Sequence, residues 1–189
     1  MANNDPRQVV RDHLIAPSKL ASQASAPHNG SGWRSAISRG GMGAKAETIR
    51  FLKERSLPGR KVLAGIFENQ AGRMMNFTQY LVQNEQGVWE VRGGSGGGEG
   101  GSRLVREQPW VNLGGGGWPN DFYAGGHVID NGSGVARVRL VAANGTILED
   151  SVEDGTVLFL SEQPVDIPLQ AELYDHHGKR VANHKVFDL

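Results

Sequence analysis

The sequence predicts a mainly β protein of the α+β class: two short N-terminal helices, antiparallel sheets, and a C-terminal sandwich or meander. Three observations predict it. Helical spacing of apolar residues is confined to the first 58 positions. From residue 60 onward the apolar period shortens to two, as in half-buried strands. Turn signals then recur at short intervals, the strongest being Asn144-Gly145, a dipeptide suited to the positive φ of a tight hairpin.

The elements follow in order. In "NDPRQVVRDHLIAP", Asp5 caps, Pro6 fits the first helical position and Gln8 completes a capping-box spacing. Val9, Val10, His13 and Leu14 share a face, and Pro17 ends the run. Residues 16 to 43 lack a period and read as an arm or ordered loop, with Trp33 and Ile37 as anchors. "AKAETIRFLKERSLPG" reads as the second helix, with Ile49, Leu52 and Ser56 on one face and Pro58-Gly59 as its stop. "KVLAGIF" is apolar on both faces and suits a central strand, and "NFTQYLVQNEQGVWEV" is a hairpin turning at Asn84 to Gly87. In "GGSGGGEGG", Gly93 to Gly101, seven of nine residues are glycine, so ordering the segment is entropically costly and it reads as a mobile surface loop. "RLVRE" and "PWVNL" are short strands.

In the last third, Ala136, Val138, Leu140 and Ala142 alternate with Arg137 and Arg139. Leu148 and Val152 continue the inward face, Glu153-Asp154-Gly155 turns, and "TVLFL" is a buried strand. Pro164 and Pro168 flank a kinked edge segment. Leu169, Ala171 and Leu173 point inward in "LQAELYD", and "DHHGKR" leads into "VANHKVF". On "VRLVAANGT", "DGTVLFL" and "LYDHHGKRV", about a third of the chain, this part resembles immunoglobulin-like or transthyretin-like β-sandwich modules. That resemblance implies a fold and no activity, because such sandwiches host unrelated functions. The expected organisation is residues 1–58 as a helical region with its arm, 59–125 as a β region with Gly-rich loops, and 126–189 as a sandwich-like region packed with it.

Composition removes several function classes. Twenty Lys plus Arg balance twenty Asp plus Glu, so the basic surplus a nucleic-acid binder uses against phosphate is missing. The absence of cysteine excludes disulfides, thiolate metal ligands and thiol catalysis. The first residues carry charges and a proline where a signal peptide needs an apolar run, and no stretch reaches the roughly 20 apolar residues of a transmembrane helix. The expectations are a cytoplasmic protein with neither nucleic acid nor membrane as partner.

The candidate chemistry is sparse. A G-x-G-x-x-G spacing occurs at Gly96, Gly98 and Gly101, but no helix follows it, and "GGMGAKAET" lacks the Gly-Lys-Ser/Thr of a phosphate loop. His176, His177 and His184, with Asp175 nearby, are ligand types without a zinc-site spacing, so no metal or other cofactor is expected. Glu149, Asp150, Glu153 and Asp154 lack calcium-loop spacing and read as solvated turn and edge charges. No G-x-S-x-G in the chain is followed by the helix that a nucleophile elbow needs.

One segment stands apart: "NLGGGGWPNDFYAGG", residues 112 to 126, interleaves six glycines with aromatics. It reads first as a loop over the core, plugged by Trp118 and Phe122, and second as a small-molecule site with Trp118, Asp121, Tyr123 and His127 as binding residues. The functional expectation is therefore a non-enzymatic binding or interaction module, partnered by another protein or by its own copies through the N-terminal arm. The alternative is a small-molecule-binding protein or hydrolase using residues 112–127.

Overall fold

The structure, a computed structural model, describes residues 4–16, 42–98 and 107–188. Among these the chain forms one helix and eleven strands, and it is mainly β. The expected arm falls largely outside the described residues, together with Trp33, Ile37 and the "RLVRE" strand.

Helix α1 spans Pro6–Ile15. The Asp5 carboxylate accepts the Arg7 amide at 3.0 Å, so the cap forms as its residue type predicts. Gln8 donates to Asp12 at 2.7 Å one turn on, rather than closing a capping box. Val10 and Leu14 are fully buried, and the chain returns to the helix end through Met42 and Ala44, whose amides donate to the Leu14 carbonyl.

The second helix is corrected. Only a single 3-10 turn forms, at Ala46–Thr48, and Arg50–Leu57 is strand β1. Leu57 pairs with Arg60, so Pro58-Gly59 closes a hairpin into β2, Arg60–Glu68, with Gly59 at φ +69°. Proline followed by a positive-φ glycine is the pattern of a type II turn. The helix-forming side chains of "KER" are overridden because pairing along one edge of β2 and contact with the sheet are a tertiary gain larger than a weak propensity.

β3, Met74–Gln83, and β4, Trp89–Gly98, complete sheet I in the order β1-β2-β3-β4. Residues 93–98 therefore belong to a strand and not to the expected loop; the remaining residues of the run, 99–101, are not described. Glycine is tolerated in β4 because neighbours occupy the side-chain positions. A Cβ at Gly93 would lie 2.5 Å from the Tyr123 hydroxyl, and one at Gly94 would lie 2.6 Å from the Gln79 amide.

Sheet II holds β5, Trp110–Gly116, β6, Tyr123–Ile129, and β9, Thr156–Leu160, in the order β5-β6-β9. The Gly-aromatic segment is thus two paired strands joined at residues 117–122, rather than a covering loop. Sheet III holds β7, Val135–Ala142, β8, Ile147–Ser151, β10, Leu169–Asp175, and β11, Arg180–Val186, in the order β11-β10-β7-β8. Every pairing is antiparallel. The chain leaves sheet III after β8, contributes β9 to sheet II, and returns to β10. Residues 161–168, which include the segment expected at an edge between Pro164 and Pro168, form this irregular crossover, and Val165 in it is fully buried.

Four layers result: α1, sheet I, sheet II and sheet III. Leu63, Phe67, Phe77 and Leu81 of sheet I meet Val10 and Leu14 of the helix. The opposite face of sheet I meets Tyr123 and Leu158 of sheet II through Val62, Ala64 and Tyr80. The other face of sheet II supplies Val111, Phe122, Ala124, Val157 and Phe159 to the largest cluster, against Val138, Leu140, Ala171 and Leu173 of sheet III. β6 carries both faces by alternation and runs through the 125/126 boundary between the two expected β regions.

Side chains close the edges of the middle sheet. Asp150 of β8 accepts the Leu158 amide of β9 at 2.7 Å. On the other edge, the His184 ring nitrogen of β11 lies 3.4 Å from the Val111 amide nitrogen and 3.2 Å from its carbonyl oxygen. Asp150 also pairs with Lys53 at 2.9 Å and with Arg55, both from β1, and Lys53 reaches the Ser151 carbonyl and Glu153. Asp150 is 2% exposed and Lys53 8%, so this carboxylate is a buried tie between three sheets and not the solvated turn residue its neighbours suggest.

Candidate functional site

Sheets I and II touch at one end and part at the other. At the closed end the rings of Tyr80 and Tyr123 stack at 4.7 Å with planes 9° apart, and Tyr123 lies against the bare backbone of Gly93. Burial, reinforced by the neighbouring Tyr80, pushes the Tyr123 phenol up to about 12. The Tyr80 phenol is raised first by burial, then by the Asp121 charge, with Arg60 opposing. Arg60 donates at 3.3 Å to both Asp121 and the Ser161 carbonyl, which ties the turn after β5 to β2.

These shifts have a measurable sign. A phenol whose folded value lies above its ordinary value keeps its proton in the native state while the unfolded chain loses it. Stability is then complete below pH 10 and is lost as pH climbs from about 10 to about 12. Carried through to the folded value, that loss amounts to roughly 3 kcal/mol. Tyr123→Phe is expected to match the parent in urea melts at pH 8 and to exceed it by roughly 2 kcal/mol at pH 11.5. Equal losses in both proteins at high pH would contradict the assignment.

At the open end lies a cleft of about 220 Å³. Sheet I lines it with Ile66, Asn76, Thr78, Ser95 and Gly97, and sheet II with Asn112, Gly114, Gly125, His127 and Thr156. Strand alternation places them. Asn76 and Thr78 are on the Tyr80 face of β3, Ser95 and Gly97 on the Gly93 face of β4, and Gly125 and His127 on the Tyr123 face of β6. Small residues keep the floor low: a Cβ at Gly114 would meet Ser95 at 2.5 Å, and one at Gly125 would meet Thr78 and Leu158.

The cleft's polarity sets it apart from the tyrosine, valine and leucine contacts beside it. Thr78, Ser95, Asn112 and His127 make no side-chain hydrogen bond or ion pair to another described residue. Asn76 uses its oxygen to accept the Gly97 amide at 2.9 Å, leaving its NH2 group, and Thr156 reaches the Asp154 carbonyl at a long 3.5 Å. Among the described residues the lining contains no Lys, Arg, Asp or Glu, and His127 is the single ionisable side chain. These hydroxyls and amides can each donate and accept, so the cleft offers neutral hydrogen bonding on both walls.

The four residues singled out by sequence do not converge. His127 is on the cleft wall. Tyr123 shares its face of β6 but lies four residues along, at about 3.3 Å per residue, in the closed end. Asp121 is exposed at the turn, on Arg60. Trp118 packs toward sheet III, 5.8 Å from the Phe187 ring, and Phe122 beside it is fully buried. Asn76, Thr78, Ser95, Asn112 and Thr156 were not foreseen. The signal for two of them was present in "NFTQYLV", where Asn and Thr occupy positions in register with Tyr80 on an inward face.

His176 and His177 are exposed in the β10–β11 turn, while His184 belongs to the sheet II edge. No group of three or more His, Asp or Glu among the described residues is arranged to hold a metal ion. No helix among them is long and apolar enough to cross a membrane. No protein-family model, curated protein or solved structure matches the chain.

Proposed function

We propose that the chain is a binding module rather than a catalyst, and that its ligand is a small uncharged polar molecule seated between sheets I and II. The observation that carries this reading is the set of unspent hydrogen-bonding groups on Thr78, Ser95, Asn112 and His127 in one cleft. Thr78 is only 3% exposed, and what it exposes faces the cleft. A ligand with hydroxyl or amide groups would supply the missing partners.

The hydrolase alternative draws less support. A nucleophilic hydroxyl needs a base in hydrogen-bond reach, and His127 bonds none of Thr78, Ser95 or Thr156. The stacking of sheet II on sheet III supports reading the C-terminal part as a sandwich of the immunoglobulin-like or transthyretin-like kind, an architecture that leaves inter-sheet clefts free to carry sites.

Amide spectra recorded while mixtures of small neutral solutes are added test the reading. The Gly97, Asn112, Gly126 and His127 signals are expected to move together, while those of Asp121 and Trp118 stay in place. Movement confined to residues 117–122 would replace this site with the aromatic turn.

A further inference from the structure

We infer that the cleft takes a neutral polyhydroxylated ring of monosaccharide size, lying against the bare backbone at Gly97; this rests on the cleft being the binding site. The first support is a glycine that the fold does not require. Eleven glycines lie in the strands: Gly65 in β2, five in β4, three in β5 and two in β6. At ten of them a Cβ would meet neighbouring atoms within 4 Å. Gly97 differs: it is not among the positive-φ glycines, and no atom of the described residues lies within 4 Å of where its Cβ would point. That space is the cleft, since Gly97 is on its wall. Neither packing nor backbone conformation accounts for the bare position, whereas a ligand ring resting on the strand would.

Size and charge narrow the class. Drug-sized ligands occupy pockets of about 300–1,000 Å³, and at about 220 Å³ this cleft suits something smaller, one ring and not a chain of them. A carboxylate or phosphate would call for Lys or Arg to balance its charge. Among the described residues the lining has no Lys or Arg, and the Gly97 backbone amide is already donated to Asn76. A cation would call for a carboxylate, which is likewise missing from the lining among the described residues. An apolar ligand would leave Thr78 and Ser95 unpaired at the floor, at a cost of about 1–3 kcal/mol per group. Hydroxyls answer every one of these conditions, because each donates and accepts as Ser, Thr and Asn do.

The test titrates the full chain with three panels: free hexoses, pentoses and inositols; neutral amides and nucleobases; and small carboxylates and phosphates. Calorimetry and amide spectra are read on the parent and on two variants, Gly97→Leu, whose side chain enters the open space, and Asn112→Leu at the exposed rim. At least one member of the first panel is expected to bind and shift the cleft signals, with affinity lowered at least tenfold by either variant. Melting temperatures show which variant is folded, and Asn112→Leu serves if Gly97→Leu is not. Binding of a sugar untouched by the folded variant would overturn the inference. A solute from the second or third panel that occupies the cleft while no sugar does overturns the ligand class and leaves the site standing. If no panel moves the cleft signals, the class and the site fall together.

Discussion

Asp150→Asn is expected to lower the unfolding free energy by about 3–5 kcal/mol, the range for removing one partner of a buried ion pair. The carboxylate sits where sheets I, II and III meet. It accepts the Leu158 amide at 2.7 Å, pairs with Lys53 at 2.9 Å and meets Arg55. Neutralising it leaves the Lys53 ammonium, 8% exposed, with only the solvent-facing Glu153 and the Ser151 carbonyl. Arg55 is half-exposed and contributes little by comparison. Because the tie is buried, salt screens it weakly. Urea melts at low and at about 0.5 M salt check the claim, with a loss below about 1 kcal/mol counting against it. The Lys53→Met/Asp150→Asn pair should be less damaging than the sum of its parts, as for residues in one network.

Gly126→Ala is expected to cost about 3 kcal/mol, at or above the top of the range for overpacking. Its Cβ would fall on the carbonyl oxygen of Asn112 in the paired strand β5. A flexible side chain could rotate away, but a backbone oxygen held in the β5–β6 ladder cannot move without breaking the register Leu113↔Gly126, Asn112↔His127. Gly97→Ala is the matched control. No atom of the described residues lies within 4 Å of its Cβ, so it is expected to be neutral or to stabilise by roughly 0.5–1 kcal/mol through lower backbone entropy. Side-by-side denaturant melts separate the two outcomes, and equal effects would show that glycine content alone, not close approach, governs these strands.

Much of the fold was legible locally. The Asp5-Pro6 start marks α1, the Asn84 and Asn144 turns mark their hairpins, and alternation in "LQAELYD" marks β10, since each signal depends on neighbours a few positions away. β1 was misread because Pro58-Gly59 both ends helices and turns hairpins, and only the pairing partner distinguishes them. The run at Gly93 was misread because the atoms that fill its empty side-chain positions come from Gln79, Tyr123 and Met42. At the candidate site, the 112–127 segment drew notice and His127 does line the cleft, yet Trp118 points to the other face of the same sheet.

By itself the sequence determined a mainly β chain with a capped N-terminal helix, hairpin turns, and no charge surplus or cysteine chemistry, because these depend on residue type and on spacing along the backbone. The tertiary structure alone decided that β9 leaves its hairpin neighbour for another sheet, that Asp150 is buried, and which glycine borders an open cleft. Those properties are set by atoms brought together from strands tens of residues apart, and no local period encodes the distance between them.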